Sequence, residues 1–432
     1  MIREMRNEKG MLSTEVAFAL VVCIAAIAIT MLLLQRNGAV SAKREELSVK
    51  ALYVAEAGIN DYIWHLNQNE DYINQIDPAQ EQYQTFKDGE YFLVVTPTED
   101  AQGVDLTSIG RVKIPETSSY KERTIRVTIQ KKSFTNYIYF TDHETMEGSG
   151  NTIWFITGDT INGPLHSNDV ISIDGNPVFR APVSTARTKY EKTGSNPDFQ
   201  QGITENVPPL EMPSTNSQLK VWAQSGGYYY YGKTDITMSS AGTLSVTNTN
   251  ALSTGPKGSG VALPENGVIY VDGQAGTKYN ATTGDIFFQG TLKGNLTVAA
   301  INNIYLVGDT LYSDQVNDML GMVANNYIYV NHYNQSGSDV APTNITISGA
   351  VFSLNHSFGF ESYQNGPAKG TIHINGSIIQ KYRGPVGTFS GSTRVSGYSK
   401  DYNYDQRMLY SQPPHFINPL NTGYGIVKWE EI

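Results

Sequence analysis

Residues 345–349 read ITISG, and close variants of that pentapeptide recur through the chain. ISIDG stands at 171, IYVDG at 269, IYLVG at 304 and IHING at 372, while LTVAA at 296 and IYVNH at 328 lack the glycine. Each piece alternates apolar and variable positions, the period of a strand that buries one face. The glycine at the end of each suits a tight corner, because it has no Cβ to clash. Strand and corner repeated in this way predict a β-solenoid, in which each coil buries its apolar row on the next. From 296 onward the starts lie 8, 24, 17 and 27 residues apart, so a β-sandwich of similar strands is the alternative.

The solenoid-like domain is expected over 133–432. Within it, residues 184–260 fit neither strand nor corner, being rich in Ser, Thr and Gly and containing VPPLEMP and GGYYYYGK. They are expected as loops or an insertion. Upstream, GEYFLVVTP, GVDLTSIG and RTIRVTIQ are strand-like runs bounded by turn residues, predicting a small antiparallel unit over 68–132. Seven basic residues fall between Arg111 and Lys132. Alternation of Arg123 with Ile125 makes them the wet face of a half-buried sheet, with an anionic polymer as the sharper possibility.

Composition agrees with a turn-rich β protein, since 432 residues include 40 glycines and 27 tyrosines. A formal charge of −10 argues against dedicated nucleic-acid binding. The only cysteine is Cys23, so no disulfide can form within the chain.

The N-terminus has a different texture. Val16 to Leu34 is a run without a charge, about as long as a helix needs to cross a bilayer. Arg3, Arg6 and Lys9 precede it, which favours an orientation with everything after Leu34 outside. Helical spacing continues beyond the run through Leu52, Ala55, Ile59, Tyr62, Ile63 and Leu66, predicting one long helix over 11–67 with a transmembrane segment at 16–34. A carboxylate at the head of the run, Glu15, is costly in lipid unless paired.

The stretch KGMLSTE, residues 9–15, resembles the class III leader of type IV prepilins, and ALYVAEAGINDYI resembles the helix of minor-pilin-like proteins. That resemblance implies a leader of residues 1–10, cut between Gly10 and Met11 by a prepilin peptidase. It places Glu15 at the fifth mature position, where the family's glutamate meets a neighbouring subunit's amine during assembly. It further implies other pilin-like subunits as partners and a single-pass location in the bacterial inner membrane, or a pilus, with the C-terminal region outside. INGPLHSNDVISIDGNPVF and GYSKDYNYDQRMLYSQPPHF resemble the large C-terminal β region of bacterial proteins with a pilin-like N-terminus and no assigned function.

The best polar candidates for chemistry are His166 and Asn168, beside Asp169 in GPLHSND, then His373, and Asp401 with Asp405 in KDYNYDQR. No HExxH, paired cysteine or EF-hand loop is present. The sequence therefore predicts no enzyme, no metal and no cofactor. The resemblance to prepilins implies a minor or tip subunit of a type IV pilus or a type II secretion-like machine. The alternative is a membrane-anchored adhesin or carbohydrate-binding or carbohydrate-active β-solenoid, with a surface polysaccharide as partner.

Overall fold

A computed structural model describes residues 14–69, 72, 83–98, 103–390 and 393–432. The chain is mainly β with one long apolar N-terminal helix. It divides into two compact units, one drawing on residues within 1–96, 105–127 and 429–432, the other on 97–104 and 128–428. The leader and the Gly10–Met11 junction lie outside the described residues.

In the first unit, helix α1 runs unbroken over Thr14–Gln68, through Gly38. Its first part is apolar on every side and covered by nothing: Phe18 is 71% exposed and Leu34 66%. This part is long and apolar enough to cross a membrane. Farther along, Leu47, Ala51, Val54, Ala55, Ile59, Tyr62 and Leu66 are buried at three- and four-residue steps. The expected face was centred slightly to one side, since Leu52 and Ile63 are only half-buried. Leu47, Ala51 and Val54 pack with Tyr91 and Val112 of a five-stranded sheet. Gly110 lets helix and sheet touch at backbone level: a Cβ there would stand 2.2 Å from the Ala51 carbonyl oxygen. Beside it, Ser108 Oγ donates to the Ala55 carbonyl at 2.8 Å.

The sheet runs in the order Gln84–Phe86, Gly89–Pro97, Gly103–Lys113, Tyr120–Lys131, Tyr424–Glu431. Its last strand comes from the far end of the chain, in a stretch expected within the C-terminal domain. Charge helps to seat it, because Arg126 pairs with Glu430 at 3.2 Å and Arg123 with Glu431. Arg111 is likewise used internally, bonded to Glu90 at 2.7 Å and lying over Tyr83 and Tyr120. These basic residues balance local acids.

The second unit is built from parallel ladders. One row stacks Tyr228–Tyr231, Val268–Asp272, Asn295–Ala300, Met319–Ala324, the end of Ile345–Ser353 and the end of Ala368–Tyr382. The same row then continues into Tyr139–His143, Leu165–Ser167, Val183–Thr185 and Ile203–Thr204. A second row stacks Thr234–Ser239, Ile286–Leu292, Ile304–Tyr312, Ile328–Val330 and Phe358–Phe360. Ile345, Ile372 and Lys400 mark a third. A sandwich of hairpins pairs antiparallel; here antiparallel pairing is confined to short hairpins such as that of Thr234–Ser239 with Thr243–Thr247.

Alternation explains why the first row is buried on both sides. Leu296, Val298 and Ala300 point into a core shared with Ile304, Leu306 and Ile347. Their neighbours Ala299 and Val323 point the other way, into a second core with Phe352 and Ile379. Parallel strands covered on both faces are the general rule. The glycine corners stack on one another: Gly349 faces Gly376 in register, and a Cβ on Gly376 would lie 1.9 Å from the Gly349 carbonyl oxygen.

The order of rungs corrects the expectation for residues 184–260. That stretch is no insertion, since it holds rungs of its own at Val183–Thr185, Ile203–Thr204 and Tyr228–Tyr231. Between the last two the chain crosses from one end of the first row to the other. This return segment, with helix α2 at Ser217–Gln224, lies along the outer face and buries Leu210, Leu219 and Ala223 in the second core. Asn216 fastens it, with Nδ2 donating to the Ala300 carbonyl at 2.8 Å and Oδ1 accepting from Tyr270 OH at 3.0 Å.

Candidate functional site

His166 sits on the rung Leu165–Ser167, where GPL turns the chain into the strand. Its ring is buried, stacked on Phe140 at 5.7 Å between centroids. Nδ1 bonds Ser184 Oγ at 2.8 Å on the next rung, and Nε2 bonds Asn168 Oδ1 at 3.1 Å. Burial lowers its pKa from 6.5 to about 4, against the opposing pull of Asn168. Asn168 in turn donates to Asp142 Oδ1 at 2.7 Å and to the Leu210 carbonyl at 2.8 Å, and accepts from the Leu210 N–H at 2.9 Å. The ring thus ties its rung to the next through Ser184 and orients Asn168, whose amide holds the return segment at Leu210. The pair is a clasp.

Asp401 and Asp405 do not join it. Asp401 Oδ2 bonds His373 Nδ1 at 2.7 Å across adjacent rungs, a pairing that no sequence spacing announced. Thr346, His373 and Asp401 stand side by side on three rungs, the residue types of nucleophile, base and orienting acid. Yet no hydrogen bond joins Thr346 to the imidazole among the described residues, and the His–Asp pair lies on open surface. Asp405 is the N-cap of the short helix Gln406–Leu409 and grips Arg407 at 2.6 Å. Among the described residues no cluster of His, Cys, Asp and Glu has the makings of a metal site.

Glu15 lies within α1, at the start of its apolar part. Sequence patterning alone did not single out a row of aromatics on the outer side of the second ladder: Phe287, Tyr305 and Tyr329 stand in register. The signal was present in IFF, IYL and IYV, where an aromatic holds the same strand position each time.

Residues 101–187 match the model of a domain of unknown function, DUF4900. The match runs from the sheet of the first unit to the rung Val183–Thr185. No curated protein matches the chain. Among solved structures, the competence-associated pilin ComZ from Thermus thermophilus aligns over 89% of this chain and 97% of its own, at 13% identity. Its TM-score is 0.25, a superposition too loose to show a shared fold.

Proposed function

We propose that the chain is a non-enzymatic, pilin-like subunit of a type IV pilus or a type II secretion-like machine, placed at the tip or among the minor components. One observation carries this reading: a single helix whose first part bares apolar side chains on every side, and whose second part packs on a sheet. Such a helix has two environments, lipid or neighbouring helices for one part and its own domain for the other. The leader-like KGMLSTE at its head supplies a route from the first environment to a filament. The parallel ladders are read as a β-solenoid displayed outside the membrane, its coils entered from the middle. A rigid stack of this size is crowded along a filament shaft and suits an end or an initiating complex. Filaments sheared from the native cells, and detergent extracts of their membranes, test the reading by immunodetection. The subunit is expected in both, in amounts far below the main filament protein. Its presence in membranes alone, with no pilus component co-purifying, contradicts the proposal.

A further inference from the structure

The aromatic row on the second ladder forms a continuous stack. Phe287 and Tyr305 lie 5.1 Å apart at 18°, and Tyr305 and Tyr329 6.3 Å apart at 29°. Tyr279 extends it at one end, 4.8 Å from Phe287. At the other end Tyr327 lies on Tyr329 at 4.7 Å, and His356 on Tyr327 at 4.3 Å. On the next rung the place after Tyr329 belongs to Gly359. Gly359 lines a hollow of about 410 Å³, walled by Tyr327, Tyr329 and Tyr363 and rimmed by Glu147, Gln364 and Asn365. The Pro385 carbonyl closes it on one side, 2.9 Å from where a Cβ of Gly359 would stand. A second hollow of about 430 Å³ lies against Tyr279, bounded by Lys278, Tyr333, Asn334 and Glu361. Glu361 and Ser362, consecutive in the chain, line one hollow each. Each is within the size range of small-ligand sites.

Backbone strain marks the same place. Tyr279 has φ of +71° and Ser362 of +50°, a left-handed conformation that costs a side-chain-bearing residue about 1–2 kcal/mol. Such conformations persist where surrounding structure enforces them, often beside binding sites.

Charge then selects the ligand class. Lys278 is spent on Glu361 at 2.6 Å, and Arg383 is spent on the buried Glu144 at 3.2 Å. Glu147 is held by Tyr327 OH at 2.6 Å and His356 Nδ1 at 2.5 Å. The hollows therefore offer no unpaired lysine or arginine to a phosphate or uronate. They offer instead the half-buried rings of Tyr279, Tyr327, Tyr329 and Tyr363 for C–H groups, with carboxylate and amide groups at the rim for hydroxyls, while Phe287 and Tyr305 between them are buried. We propose that this side of the ladder binds a neutral oligosaccharide, one sugar ring seated at Gly359 against Tyr329 and Tyr363, with the chain continuing toward Tyr279. The site is independent of how the N-terminus is processed or assembled.

Affinity electrophoresis of the full-length chain, in a detergent without a sugar headgroup, tests this site. The probes are laminarin, glucomannan, xylan, amylose and dextran, with polygalacturonate as the acidic comparison. At least one neutral polysaccharide is expected to retard the protein. Tyr329→Ala should weaken that binding at least tenfold. Gln364→Ala, at an exposed position where folding is not at stake, should weaken it about fivefold, the value of one hydrogen bond. Tyr190→Ala removes an exposed tyrosine from another ladder and should bind as the parent does. Retardation by no neutral polysaccharide, or by polygalacturonate alone, overturns the proposal. So does parental affinity in both Tyr329→Ala and Gln364→Ala.

Discussion

Glu15 and His166 are two titratable residues with opposite histories. Glu15 was legible from sequence because a lone carboxylate before Val16, Ala17 and Phe18 is expensive in a lipid-facing helix. In the proposed assembly its partner is the amine of Met11, which exists only after cleavage at Gly10. Glu15→Ala and Glu15→Gln should therefore both abolish incorporation into filaments, and blocking cleavage with a bulky residue at Gly10 should remove most of their added effect. Normal incorporation of Glu15→Gln, scored by immunodetection on sheared filaments, would sink the charge-pairing account. His166 was legible as a polar residue at a corner, but its partners Ser184 and Asn168 became visible only with the rungs in register. Because folding lowers its pKa from 6.5 to about 4, the neutral ring is the form the fold keeps. Its contribution is complete above pH 6.5 and is lost as pH falls toward 4, amounting to about 3 kcal/mol at most. Asp285 runs the other way: burial raises its pKa from 3.8 to about 6, so protonation below pH 6 favours the fold. Thermal unfolding of the parent and His166→Gln between pH 7 and pH 4 separates the two. The gap between the variants should shrink on acidification; a gap constant with pH contradicts the titration.

At the scale of elements, the helix and the rungs were readable because each carries its own period. Isoleucine at alternate places in ITISG and IHING marks strands, and three- and four-residue steps from Ala55 to Leu66 mark the buried helix face. The period does not say which strands are neighbours. The strand Tyr424–Glu431 reads as another β piece, and nothing local reveals that it joins a sheet begun near residue 84. Short rungs such as Ile203–Thr204 lack enough residues to show a period at all. The contact between α1 and its sheet rests on an equally silent feature, the missing Cβ of Gly110. Gly110→Ala places a methyl group 2.2 Å from the Ala51 carbonyl and 2.3 Å from the Ala55 nitrogen, so helix or strand has to move. A loss of about 1–3 kcal/mol is expected in urea unfolding of the detergent-solubilised chain. Unchanged stability there means the helix does not sit on the sheet as described.

For the whole molecule, the chain order of the rungs is the feature least visible in sequence. The stack begins at Tyr228, climbs to Tyr382, continues at Tyr139 and ends near Thr204, so its middle is closed by segments far apart in the chain. No local pattern encodes that choice; it depends on which open end fits which. The helix is similarly tied to the sheet downstream of it, because Leu47, Ala51 and Val54 complete the core over Tyr91 and Val112. A chain starting at residue 40 should therefore be soluble, monomeric and β-dominated by circular dichroism. One starting at residue 68 should aggregate or bind a hydrophobic dye, having lost the helix that covers its sheet. Equal behaviour of the two counts against that core. In the proposed function the N-terminal helix belongs to a processed, pilin-like subunit. Intact-protein and peptide mass spectrometry of the chain purified from its native membranes tests it most directly. The mature N-terminus is expected at Met11, with residues 1–10 gone and the apolar run retained. An intact Met1, or a cut beyond Leu34, contradicts it.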